Sequence, residues 1–88
     1  MASYSVVVKP SVARELDDIG RQKDRERISE RLLELAEDPR PIGVEKLANA
    51  ENAYRIRQGN YRILYEIDDH ARRVRVMKIG HRKDVYRR

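Results

Sequence analysis

Tyr54-Arg55-Ile56-Arg57-Gln58-Gly59-Asn60-Tyr61-Arg62-Ile63-Leu64-Tyr65-Glu66-Ile67 alternates with period two on both sides of a Gly-Asn pair. Successive side chains of a strand leave opposite faces, so this pattern predicts two half-buried strands. Gly59-Asn60 has the chemistry of a two-residue hairpin loop, and such a loop sets the register. Gln58 then opposes Tyr61, Arg57 opposes Arg62, Ile56 opposes Ile63, Arg55 opposes Leu64, and Tyr54 opposes Tyr65. The apolar and aromatic pairs gather on one face. Arg55, Arg57 and Arg62 gather on the other. Directly opposed like charges destabilise a sheet. Three guanidiniums held on rigid strands therefore call for an anion, and a phosphodiester suits their planar forks. The competing reading is a solvated face whose Arg stems cover apolar surface.

Working outward, Asp68-Asp69-His70-Ala71 reads as a turn and Arg73 to Ile79 as a last strand whose inward face the pattern does not assign. Gly80 ends it, and His81-Arg82-Lys83-Asp84-Val85-Tyr86-Arg87-Arg88 follows as a basic tail. Upstream, Ser3 to Lys9 reads as a strand, and Val6-Val7-Val8, apolar on both faces, predicts an interior position. Pro10 ends it and Ser11 caps a helix from Val12 to about Ile19, with Gly20 as its stop. A second helix runs from about Asp24 to Glu37, burying Ile28, Leu32, Leu35 and Ala36, until Asp38-Pro39 closes it. Residues 39–52 read as a loop anchored in the core by Leu47. The expected fold is α+β with element order β-α-α-β-β-β. Two N-terminal helices pack on one face of a four-stranded antiparallel sheet and leave its other face open.

Eighty-eight residues make one domain, 1–88, with a small core. All five aromatics are Tyr, so Val, Ile and Leu build that core. No apolar run approaches the ~18 residues of a membrane span. The opening Met1-Ala2-Ser3-Tyr4 lacks the features of a signal peptide. The chain has no Cys, which removes disulfides, thiolate metal sites and Cys nucleophiles, and fits a reducing, cytoplasmic setting. Two His make a His-rich metal site unexpected, and no cofactor is implied. Residues 1–52 hold 9 Lys/Arg and 11 Asp/Glu, a charge of −2; residues 53–88 hold 11 and 4, a charge of +7. Fifteen of the 20 basic residues are Arg. That half is the electrostatic footprint of a polyanion binder.

Arg stays protonated, so the cluster cannot shuttle a proton; it can stabilise charge building on a pentavalent phosphate. Metal-free RNA cleavage would take the substrate's own 2′-hydroxyl as nucleophile, with a base on one side and an acid on the other. His81, Tyr86 and Glu45 are the candidates. His81 has an ordinary pKa near ~6.5, suited to either role. Tyr86, near ~10, needs cations such as Arg82 beside it. Glu45 lies in the loop. Against these stand a strand-end His, a packing Tyr and a solvated acid, while His70 reads as surface.

Lys46-Leu47, Tyr54-Arg55-Ile56-Arg57, Gly59 to Ile67, and Gly80-His81-Arg82-Lys83-Asp84-Val85-Tyr86 together resemble the RelE toxins of the RelE/ParE superfamily, whose fold is akin to the microbial RNases. The resemblance covers essentially the whole chain. It implies a type II toxin that enters the ribosomal A site, cleaves mRNA there without metal to leave a cyclic phosphate, and inhibits translation. It also implies a RelB-type antitoxin, a DNA-binding, autoregulatory complex with it, no membrane, and a monomeric free toxin. By position, Arg55 and Arg57 match paired basic residues on the second strand of the family, Lys in some members. Arg62 matches the Arg placed at the scissile phosphate, Arg82 the one that supports the leaving group, and Tyr86 a Tyr that stacks on a base or moves a proton. Lys46 and Lys83, inside the matching strings, join Arg55 and Arg57 as RNA contacts. Arg55 and Arg57 cannot act as a base where a Lys could. The role therefore passes to Glu45 or His81, by similarity to branches with a loop Glu and a late His. Two other readings stay open: a ParE-like toxin that poisons DNA gyrase by binding, and a non-catalytic RNA-binding module.

Overall fold

A computed structural model describes residues 3–48 and 50–81. Its elements are β1 (Ser5–Val8), α1 (Pro10–Asp17), α2 (Gln22–Glu37), β2 (Glu45–Lys46), β3 (Ala53–Gln58), β4 (Tyr61–Asp68) and β5 (Arg73–His81). They build one five-stranded sheet in the order β1-β5-β4-β3-β2. The expected α+β class holds, with both helices on one face. The sheet differs from expectation in two ways. It is mixed, because β1 lies parallel to β5, Val6 opposite Val74 and Val8 opposite Val76. It also has a fifth strand, the two residues of β2 added antiparallel to β3 from within the predicted loop. A parallel neighbour needs a crossover connection, and α1 and α2 lie between β1 and its sheet-mates in the chain.

β1 is an edge strand and not the interior one that its valine run predicts. Val6 and Val8 pack on the core, but Val7 faces outward and is 42% exposed. α1 begins at Pro10, whose fixed φ suits the first helical turn; Lys9 is the extended residue before it, so Ser11 lies inside the helix and caps nothing. The helix closes at Asp17, two residues short of the buried Ile19. α2 ends where Asp38-Pro39 forces it to, with Asp38 extended.

The hairpin has the register read from its loop, from Tyr54 opposite Tyr65 to Gln58 opposite Tyr61. Gly59 has φ +61°, a region that excludes most side chains and fits a two-residue turn with Gly first. Ile56, Ile63, Tyr65, Ile67, Val74, Val76 and Ile79 meet Val12, Ile19, Ile28, Leu32 and Leu35 in a single core. Tyr65 is fully buried; burial pushes its hydroxyl well above the usual range, and it donates to the Pro39 carbonyl at 2.8 Å. Val44, not Leu47, fastens the loop to the core. At the far end from the hairpin loop, Asp69 accepts from Tyr4 at 2.6 Å and from both terminal nitrogens of Arg40. Arg40 in turn lies over the Tyr54 ring, 5.2 Å from its centre. Among the described residues no helix is long and apolar enough to cross a membrane.

Candidate functional site

The face of the sheet away from the helices carries the basic cluster. Odd positions of β3 and even positions of β4 point there, because their neighbours Ile56, Ile63 and Tyr65 are held in the core. Arg57 stands directly opposite Arg62, and Arg55 opposite Leu64. The three guanidiniums thus share the face that the hairpin register predicts for them.

Each is held differently. Arg55 donates Nε to Oε1 of Glu45 at 2.7 Å, and since Glu45 is opposite Arg55 across β2 and β3, the pair spans neighbouring strands on this face. Arg57 is exposed and turns Nε onto the Gly59 carbonyl at 3.2 Å. Arg62 is half-buried at the centre of the sheet, with Arg57 on one side and Gly80 of β5 on the other. The structure therefore brings Glu45 onto the arginine face, from a loop whose placement no local pattern reveals.

Other candidates lie elsewhere. His81 is opposite Tyr61 at the end of β5 and meets its ring edge-on, 5.7 Å between centres, on the side of the sheet that Tyr61 shares with the core. Lys46 is opposite Tyr54, hence on the reverse side from Glu45, and is exposed. His70 is exposed in the turn between β4 and β5. Arg82, Lys83 and Tyr86 lie outside the described residues. Among the described residues no three of His, Asp and Glu converge as a metal site would require.

The sequence pattern misses one cation of this face. Between Tyr65, opposite Val76, and Leu64, opposite Lys78, the β4–β5 pairing slips by one residue. Met77 is the extra residue of this bulge, so Val74 and Val76 face the core, and so does Ile79, three positions on. Lys78 is thereby carried to the face that Leu64 and Arg62 share. A bulge breaks the two-residue period, and nothing local signals it.

The chain matches the family model "ParE toxin of type II toxin-antitoxin system, parDE" over residues 6–86. It is 30% identical to the toxin RelE of Mycobacterium tuberculosis, over 96% of this chain and 87% of that one. It is 34% identical to RelG of the same organism over 55 residues; that match spans 62% of this chain and 63% of RelG. The toxin in the archaeal RelE–RelB complex from Pyrococcus horikoshii OT3 superimposes with a TM-score of 0.81 at 25% identity, covering 91% of this chain and 96% of that one.

Proposed function

The chain belongs to the RelE/ParE toxins of type II toxin–antitoxin systems, and on that premise we propose that it is an endoribonuclease that cuts mRNA in the ribosomal A site and so inhibits translation. One observation carries the reading: Arg62 is fixed on the central strand pair, on a sheet face that bears no helix among the described residues, with Arg57 directly opposite it and Arg55 alongside. Such a cluster favours a doubly charged, pentavalent phosphate over the singly charged ground state.

In the proposed step a base takes the 2′-hydroxyl proton and the freed oxygen attacks the adjacent phosphorus. The bond from phosphorus to the 5′-oxygen breaks, and that oxygen leaves with a proton from the acid. A 2′,3′-cyclic phosphate and a 5′-hydroxyl remain, and no metal or cofactor enters the balance. Arg62 meets the charge that develops on the phosphate, while Arg55 and Arg57 hold the flanking backbone. Glu45 is the base best supported by its position, since it shares the arginine face; His81, turned to Tyr61, is less well supported. Arg82 at the leaving group, Tyr86 on a base or a proton, and Lys46 and Lys83 as further RNA contacts remain proposals from the family pattern.

The Pyrococcus relative is bound to RelB in its structure, which supports a RelB-type antitoxin as the partner here; an autoregulatory DNA-binding complex, a monomeric free toxin and a cytoplasmic site of action follow from the same kinship. A second reading, a ParE-like toxin that acts on gyrase by binding, is favoured by the description of the matching family model. Primer extension on a translated message, with purified protein and ribosomes, separates the two. Cuts in the translated frame support the nuclease; an intact message, with DNA damage on induction in cells, supports the gyrase poison.

A further inference from the structure

β1 stops at Val8, opposite Val76, so among the described residues no strand lies beside β5 along that edge from Met77 onward. Glu15 of α1 takes the place of one. Its Oε1 accepts the Ile79 amide at 3.0 Å, and its Oε2 accepts the Lys78 ammonium at 2.5 Å. Lys78 stands opposite Leu64, and the next pair along is Arg62 opposite Gly80. That makes Lys78 the diagonal neighbour of Arg62, roughly 7–8 Å away between backbones and within reach of long side chains. Arg55 occupies the matching diagonal on the other side. The two flanking cations are held alike, Arg55 by Glu45 at one margin of the sheet and Lys78 by Glu15 at the other. Gly80, opposite Arg62 and two residues along β5 from Lys78, contributes no side chain, and Leu64 opposite Lys78 completes the set of four.

We propose that Lys78 is a further phosphate-binding residue of the Arg62 site. This deepens the nuclease reading and rests on it for the identity of the anion as an RNA phosphodiester. A phosphate seated over Gly80 meets the guanidinium fork on one side and the ammonium on the other. The ammonium is a point charge on a flexible stem, free of a fixed bond direction, so it can bridge Glu15 and the phosphate. One guanidinium paired with one ammonium suits a single tetrahedral anion better than the row of carboxylates on an acidic protein segment.

The test uses ribosomes programmed with a message whose A-site codon carries 2′-deoxyribose and so cannot be cut. Binding is titrated against salt. Each phosphate contact to a single strand steepens the log–log slope by about 0.7, so Lys78→Met should flatten it by about that much while Lys78→Arg restores it. Glu15→Gln keeps the Ile79 hydrogen bond and the Lys78 charge, and should leave the slope at the wild-type value. On a cleavable message at saturation, Lys78→Met should cut roughly 10–100-fold more slowly, the fold-change of one charge-assisted hydrogen bond. Should Lys78→Met fail to fold, Lys78→Gln retains a polar partner for Glu15 and carries the same slope measurement. An unchanged slope in the neutral variant overturns the proposal. So does Glu15→Gln matching Lys78→Met in slope, since the ion pair alone would then explain the effect. Loss of an acidic protein partner at constant RNA slope overturns it as well. Wild-type protein that binds but cuts nothing overturns the nuclease reading instead, and the slope comparison then decides Lys78 separately.

Discussion

Arg62 is the side chain whose removal separates chemistry from binding most cleanly. It is half-buried on a central strand, faced by Arg57 and beside Gly80, so its guanidinium is positioned before substrate arrives. Interactions that strengthen only in the transition state raise the rate without tightening the ground state. Arg62→Ala should therefore lower single-turnover cleavage on pre-loaded ribosomes by roughly 10²–10³, with a much smaller change in ribosome association. Wild-type cleavage at saturation would leave a toxin that acts by binding alone. Arg55 and Arg57, two residues apart on β3, belong to the backbone-holding role, and each change to Ala should weaken ribosome binding and flatten its salt dependence. Arg57→Ala should weaken it more, because the charge of Arg55 is already paired with the Glu45 carboxylate whereas Arg57 donates only to the neutral Gly59 carbonyl. Identical binding at every salt concentration would end that assignment. All three arginines were legible because one tight turn orders both of their strands. The partnership of Arg55 with Glu45 was not, since it depends on a two-residue strand formed only by docking on β3.

At the scale of elements, local signals served where chain neighbours are also neighbours in space. Two helices, the Asp38-Pro39 stop and the hairpin are of that kind. β1 and β5 are not. Their parallel pairing joins residues nearly seventy positions apart, and no run of valines tells an edge strand from an interior one. The bulge at Met77 then hides which side of β5 faces the core. Two turns give opposite expectations for substitution. Gly59, at φ +61°, sets the register of the cluster, and Gly59→Ala should lower stability by roughly 1–3 kcal/mol through backbone strain. Arg72 has φ +54° without being glycine, so Arg72→Gly should raise stability by roughly 1 kcal/mol by relieving a left-handed residue. Urea unfolding midpoints measured together decide both; a loss of stability in Arg72→Gly would contradict the strain at that turn.

Across the whole molecule, the +7 half supplies the strands of the arginine face and the −2 half supplies the two helices, a division visible in composition alone. The contacts that close the fold at the end away from the hairpin loop were beyond sequence reading, because Tyr4, Arg40, Tyr54 and Asp69 come from four separate segments. They tie the residue before β1, the loop after α2 and the β4–β5 turn through one carboxylate, and β3 through the Arg40–Tyr54 hydrogen bond. Hydrogen bonds from Arg40 and then Tyr4 hold the Asp69 carboxyl down at about 2, and the bond to Asp69 raises the Tyr4 hydroxyl above its usual value. A carboxyl whose pKa is lower folded than unfolded contributes stability that is fully present above the unfolded value, about 4, and is lost as pH falls through the folded one. Asp69→Asn keeps an acceptor for Tyr4 but removes the charge facing Arg40. At pH 6 the wild type should be the more stable of the two, the gap should narrow below pH 4 and it should all but close near pH 2. These groups are exposed, so added salt should shrink the same gap at pH 6. Urea midpoints of both proteins across that range measure it directly, and a gap that stays constant from pH 6 to pH 2 would mean that the Asp69 charge contributes nothing to holding the four segments together.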